Sequence, residues 1–207
     1  ADGVYLSDAS NHRVLYFAAD GDTTADRVYG QDDEFTTAVR NKGGVSARSF
    51  QFPRGLAIDA GDGLYVADRD NNRILYFAAD GDTTADRVYG QFDDFAVNAD
   101  GNDGSGGAGG PSAGNLSHPK AVAVDAAGGV WITDSLHHRV LYYAAGDTIA
   151  DRVLGQGGSF ETGAVNMGGS AGAETFSLPQ GILVTPDGRL IITDTGNNRA
   201  LVIATTG

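Results

Sequence analysis

Residues 15–31 read LYFAADGDTTADRVYGQ, and residues 75–91 read the same seventeen letters again. A catalytic residue has no use for identical surroundings twice, whereas a structural unit that stacks on copies of itself does. Just before each copy lies a shorter signature: an Asp, two variable residues, two Asn/His positions, then Arg. It occurs four times, as DASNHR (8–13), DRDNNR (68–73), DSLHHR (134–139) and DTGNNR (194–199). The arginines are spaced by 60, 66 and 60 residues. Four copies in register make repetition the first constraint on the fold.

Apolar runs flank every signature, such as GLYVAD before and RILYFA after the second. Each run is four to six residues long, rich in β-branched and aromatic side chains, and bounded by Gly, Asp or Asn. That is a strand signal, and helical periodicity is absent. One unit therefore reads as four short antiparallel strands: a (GLAID-like), b (LYVAD-like), c (RILYFA-like) and d (DRVYG-like). An all-β fold follows, a β-propeller of four-stranded blades, with about four repeats. The expected organisation is one propeller segment: a partial blade over 1–31, blades over 53–91 and 119–156, and a partial blade over 179–207. Long Gly-rich excursions over 32–52, 92–118 and 157–178 join strand d to the next strand a. Their shared pattern of Gln, Phe, Asn and a Phe or Leu before Pro predicts order, with DGNDGSGGAGG (100–110) as a mobile exception. Three strands, two full blades and three strands predict part of a larger ring, or half of an assembled one, rather than a self-closing four-bladed ring.

These units resemble NHL repeats, which carry a proline–glycine entry, an Asp-ended strand and an Asn-His-Arg-like turn. Pro53, Gly55, Asp68, Asn72 and Arg73 carry the resemblance in the clearest copy. The "GQ…F…N.GG…P" excursions look like those of bacterial NHL proteins of the extracellular type. The resemblance implies a propeller, an extracellular or cell-surface setting, and a role as a structural or protein-binding scaffold. As the alternative it implies a metal-assisted lyase or lactonase whose site other blades complete, with ligands set around the central channel.

The net charge of −13 makes nucleic acid a poor partner, because a long phosphate backbone would be repelled. There is no cysteine, so neither a disulfide nor a thiolate site exists. No apolar run approaches the roughly 20 residues that cross a membrane as a helix, so membrane insertion is not expected. Protein partners or self-association are.

Strand alternation sorts the turns. Signature turns and excursions share one face; the a–b and c–d turns share the other. Asp8, Arg13, Asp68, Arg73, Asp134, Arg139, Asp194 and Arg199 recur symmetrically, which reads as a fold device rather than a catalytic set: Asp accepts turn N–H groups and the planar guanidinium bridges neighbouring carbonyls. No catalytic residue is expected. Asp20, Asp22, Asp26, Asp80, Asp82 and Asp86 gather in the c–d loops, and oxygen-rich loops of this kind can hold calcium. The competing reading is that Asp and Gly simply make turns. No other cofactor is expected. Asymmetry lies in the third copy, where His137 and His138 replace the Asn pair near Trp131, the only tryptophan. Alternation along a strand would keep the two imidazoles from chelating one ion.

Overall fold

The computed structural model describes residues 3–102, 104 and 109–205. Among the described residues fourteen strands fall into four antiparallel sheets. The first contains β1 (Gly3–Asp8), β2 (Arg13–Ala18) and β3 (Arg27–Tyr29). The second runs β4 (Pro53–Ile58), β5 (Leu64–Asp68), β6 (Arg73–Phe77) and β7 (Arg87–Tyr89). The third runs β8 (Pro119–Val124), β9 (Val130–Asp134), β10 (Arg139–Tyr143) and β11 (Arg152–Leu154), and the last holds β12 (Pro179–Val184), β13 (Arg189–Asp194) and β14 (Arg199–Ala204). Within each sheet the strands pair in chain order. These are propeller blades, three- or four-stranded, all-β as the repeats predict. The low-complexity stretch expected to be mobile, 100–110, includes residues 103 and 105–108, which lie outside the described residues.

The second, third and fourth blades open on a proline because Pro53, Pro119 and Pro179 begin an innermost strand, where a missing N–H is tolerated. The pairing slips between Pro53 and Leu56, and at the matching places in β8 and β12. The irregularity lets strand a diverge from strand b as the chain arrives from an excursion.

The core lies between blades. Tyr29, Phe50, Leu64, Val66 and Phe77 fill the first interface; Tyr89, Leu116, Ile132 and Tyr143 the second; Trp131, Phe176, Leu190 and Ile192 the third. Rings from successive blades meet edge-on, Tyr29 with Phe77 at 5.1 Å and Tyr89 with Tyr143 at 5.2 Å between centroids. Every excursion contributes one plug just before its proline: Phe50, Leu116 and Phe176, each at most 1% exposed. The excursions are thereby part of the packing.

Within a blade, the arginine opening strand d stacks on the aromatic of strand c that it faces in register. Arg27 lies over Tyr16, Arg87 over Tyr76 and Arg152 over Tyr142, at 4.3–5.4 Å from the ring centroid. Gly63 makes room for this stack, since a Cβ there would lie 2.5 Å from the Tyr76 ring.

Candidate functional site

At the excursion face the first, second and fourth signatures fold into one 3-10 turn, and the third into a turn closed by the His138 N–H to the Ser135 carbonyl. Asp68 and Arg73 end facing strands in register, and both side chains are fully buried. Asp68 Oδ1 accepts the Gln51 N–H at 2.7 Å; its Oδ2 accepts Asn71 Nδ2 at 2.7 Å and Arg73 Nε at 2.8 Å. Arg73 then reaches both ways. Its Nη2 donates to the carbonyls of Ser46 and Ser49 in the excursion before the blade, and its Nη1 to Phe95 O in the excursion after it.

The third blade repeats this wiring with Asp134, Arg139, Ser112, Asn115 and Phe160. Asp194 and Arg199 repeat it toward Gly172 and Thr175, and Asp8 and Arg13 toward Phe35. Burial opposes ionisation of Asp134, but the Arg139 charge and the His137 hydrogen bond outweigh it and hold the carboxyl below its usual range. Asp8 is also held low: burial works against it, and the bonds from Asn11 and Arg13 prevail.

The last Asn/His of each signature, at positions 12, 72, 138 and 198, sits in the left-handed region with φ of 51–54°. Among L-residues, Asn, Asp and His are several-fold enriched there. The side chain has a second task. His12 Nδ1 accepts the Phe52 N–H at 3.1 Å, Asn72 Oδ1 the His118 N–H at 2.9 Å, and His138 Nδ1 the Leu178 N–H at 3.0 Å. Each donor is the left-handed residue immediately before the next blade's proline. An amide oxygen and an imidazole nitrogen are interchangeable acceptors at this stitch, which is why Asn and His alternate.

Behind it, Gln31, Gln91 and Gln156 donate to the carbonyl of the same left-handed residue and to a carbonyl eight positions further along their own excursion.

The other Asn/His position pairs with an excursion. Asn71 and Asn41 exchange two amide hydrogen bonds, as do Asn197 and Asn166. In the third blade His137 takes this place and bonds Asp134 at 2.9 Å, while Gly101 stands where the other excursions carry Asn41 and Asn166. His137 and His138 thus diverge because they occupy a turn and serve different acceptor and donor roles. Strand alternation, the expected reason, does not apply.

On the opposite face the c–d loop carboxylates bond their own backbone. Asp20 accepts the Asp22 N–H, Asp22 the Thr24 N–H and Asp26 the Ala18 N–H; Asp80, Asp82 and Asp86 repeat the set. Among the described residues no three His, Asp or Glu side chains come together as a metal-holding group. Asp59 and Asp125, at the ends of innermost strands, likewise accept N–H groups of their a–b turns.

The profile of the NHL repeat matches residues 50–77, spanning strands a to c, and residues 176–200, spanning strands a and b and the signature turn to the start of strand c. The chain carries NHL repeats. The protein SUPPRESSOR OF QUENCHING 1, chloroplastic, of Arabidopsis thaliana is 28% identical over 203 residues, 94% of this chain and 17% of that protein. Virginiamycin B lyase from Staphylococcus aureus aligns with a TM-score of 0.54 at 14% identity, over 99% of this chain and 50% of that one. A gluconolactonase from Xanthomonas campestris aligns with a TM-score of 0.55 at 18% identity, over 99% and 55%. The chain spans about half the length of these solved structures. At such identities the likeness is one of fold.

Sequence reasoning placed the NHL signature residues at one face but missed a second set there. Arg54, Lys120 and Gln180, each the residue after a blade's opening proline, line a common cavity with Gly55. Arg69, at the variable second position of its signature, stands nearby: its guanidinium and that of Arg54 lie 5.5 and 5.1 Å from the Phe52 ring centroid. The signal was legible as a change from Arg to Lys to Gln at the position after each opening proline.

Proposed function

We propose that this NHL segment is a non-catalytic, protein-binding scaffold whose docking surface is the excursion face. The observation that carries the proposal is the placement of exposed large apolar side chains. Six of the twelve among the described residues, Phe35, Val39, Phe92, Leu136, Val165 and Met167, lie on the excursions or a signature turn. Only Ile58 and Ile149 lie toward the opposite face, and the remaining four are on the outer faces of the end blades. Exposed apolar groups on loops held rigid by buried hydrogen bonds are what a protein-recognition surface requires. A preorganised loop loses little entropy when a partner docks.

The metal-assisted reading draws less support. Asp59 and Asp125, at the ends of innermost strands, each commit Oδ1 to two N–H groups of their own turn, and Asp125 Oδ2 accepts the Trp131 indole N–H at 3.2 Å. The relatives that are lyases or lactonases share only the fold.

A photo-crosslinking phenylalanine analogue at Phe35, Val165, Ile58 or Ile149 tests the proposal. Positions 35 and 165 should capture one and the same protein in native extracts, and positions 58 and 149 should not. Capture from the opposite face alone, or unrelated products from positions 35 and 165, would overturn it.

A further inference from the structure

Strands β4, β8 and β12 are innermost in their blades and lie side by side. β4 and β8 approach closely at Gly55, where a Cβ would come within 2.7 Å of Ala121 Cα and of the Lys120 carbonyl oxygen. One residue earlier, at the excursion face, Arg54, Lys120 and Gln180 project around a cavity of about 290 Å³.

Arg54, Arg69 and Lys120 form a cationic group in a chain of net charge −13. Among the described residues neither Arg54 nor Lys120 has a carboxylate within ion-pair distance, and Asp70 is paired with Arg69 at 3.2 Å. Three cations therefore face one carboxylate. His118 Nε2 lies 3.9 Å from that same Asp70, and its Nδ1 is buried without a hydrogen-bond partner. Burial, followed by repulsion from Arg69 and Arg54, pulls the Lys120 ammonium below its ordinary value, as expected of like charges with no counter-ion.

We propose that this axial mouth binds a small anion through its carboxylate or phosphate group. Lys120 supplies a point charge, Arg54 a planar fork, and Gln180 a neutral amide donor. Phe52 supports both guanidiniums from behind. A small ligand suits the site better than a polyanion. Beyond the screening length of roughly 8 Å at physiological salt, the acidic remainder of the molecule is hidden from an ion in the mouth. A long phosphate backbone would have to cross that acidic surface. The inference does not depend on the scaffold reading, because it concerns the axis and not the exposed apolar loops.

The test is isothermal titration of the 207-residue chain at physiological ionic strength and then at higher salt, with inorganic phosphate in one arm and malonate in the other. Saturable, salt-sensitive binding is expected. The Arg54→Gln/Lys120→Gln double variant should weaken it roughly tenfold or more, as the loss of charge-assisted bonds implies. Gln180→Lys should tighten it severalfold, a gain that misfolding cannot produce. Arg189→Gln, which lowers the net charge away from the axis, should leave it unchanged. Phosphate binding alone assigns a phosphoryl ligand, and malonate binding alone a carboxylate. No saturation in either arm overturns the proposal, as does an equal loss in Arg189→Gln or a Gln180→Lys variant that binds no better.

Discussion

The last Asn/His position of each signature serves the backbone and the next blade together. Its left-handed φ narrows the choice of residue, and its acceptor atom closes the bond to the residue before the following proline. For His138 this bond needs an unprotonated Nδ1. Burial and the neighbouring His137 hold the ring below its ordinary value, while Asp134 and Asp194 pull the other way and lose. A histidine whose folded pKa is depressed contributes stability that is complete above its unfolded value, about 6.5, and lost as pH falls through that value toward the folded one. Thermal melts should therefore show Tm falling as pH drops below about 6.5. His138→Asn keeps an acceptor and removes the titration, so its Tm should vary less over the same window. His138→Ala strands a backbone N–H and should cost about 1–3 kcal/mol at neutral pH; an equal pH slope in the wild type and His138→Asn would contradict the assignment.

The buried ion pairs are governed by the same accounting of partners. Arg139→Met leaves the Asp134 carboxylate buried and frees carbonyls of two excursions, at a cost of about 3–5 kcal/mol. In a chain of this size that lowers Tm by roughly 6–20 °C. Arg189→Met breaks an ion pair with Asp187 in which both side chains are more than half exposed, and should change stability by less than about 1 kcal/mol. Comparable losses in the two variants would show that the Asp134–Arg139 hub is not what joins the excursions.

At the scale of elements, an excursion is an insertion that has become part of the blade. Gln91 ties the second one to the signature turn, and Leu116 plugs the interface. Gly90 opens it at φ +90°, where a Cβ would lie 2.6 Å from Leu116 Cδ1. Gly90→Ala combines a left-handed backbone with overpacking and should cost roughly 2–5 kcal/mol. Gly110→Ala, with no heavy atom within 4 Å of its added carbon, should be neutral to about 0.5 kcal/mol in the same denaturant titration. The order of these loops was legible in their repeated Gln, Asn and pre-proline aromatic or leucine. Their attachment was not, because the partners of Arg73 are backbone carbonyls, which any residue supplies.

For the whole molecule, the end blades each leave one face bare. Val4 and Leu6 of β1 are 63% and 52% exposed, whereas Leu64 and Val66, which hold the same places in the second blade, are buried against its neighbour. Leu183 and Val202 are 57% and 59% exposed on the far side of the last blade. Apolar faces shaped for another blade favour association. Light scattering on the 207-residue chain should give a mass above the 21.3 kDa of one copy. Leu6→Glu with Val202→Glu should return it to a monomer; a monomeric wild type would show that these faces remain open in solution.

Repetition determined the blade, its strand order and the face on which each turn lies, because a period of about sixty residues and alternation of two leave little freedom. It also made Asp68 and Arg73 recognisable as fold devices. Tertiary structure alone decided where their bonds end, that the two histidines diverge in a turn, and that Arg54, Lys120 and Gln180 meet at the axis. Those residues are 66 and 60 positions apart along the chain. They converge only because blades stack in register, a relation that lies between repeats and not within any one of them.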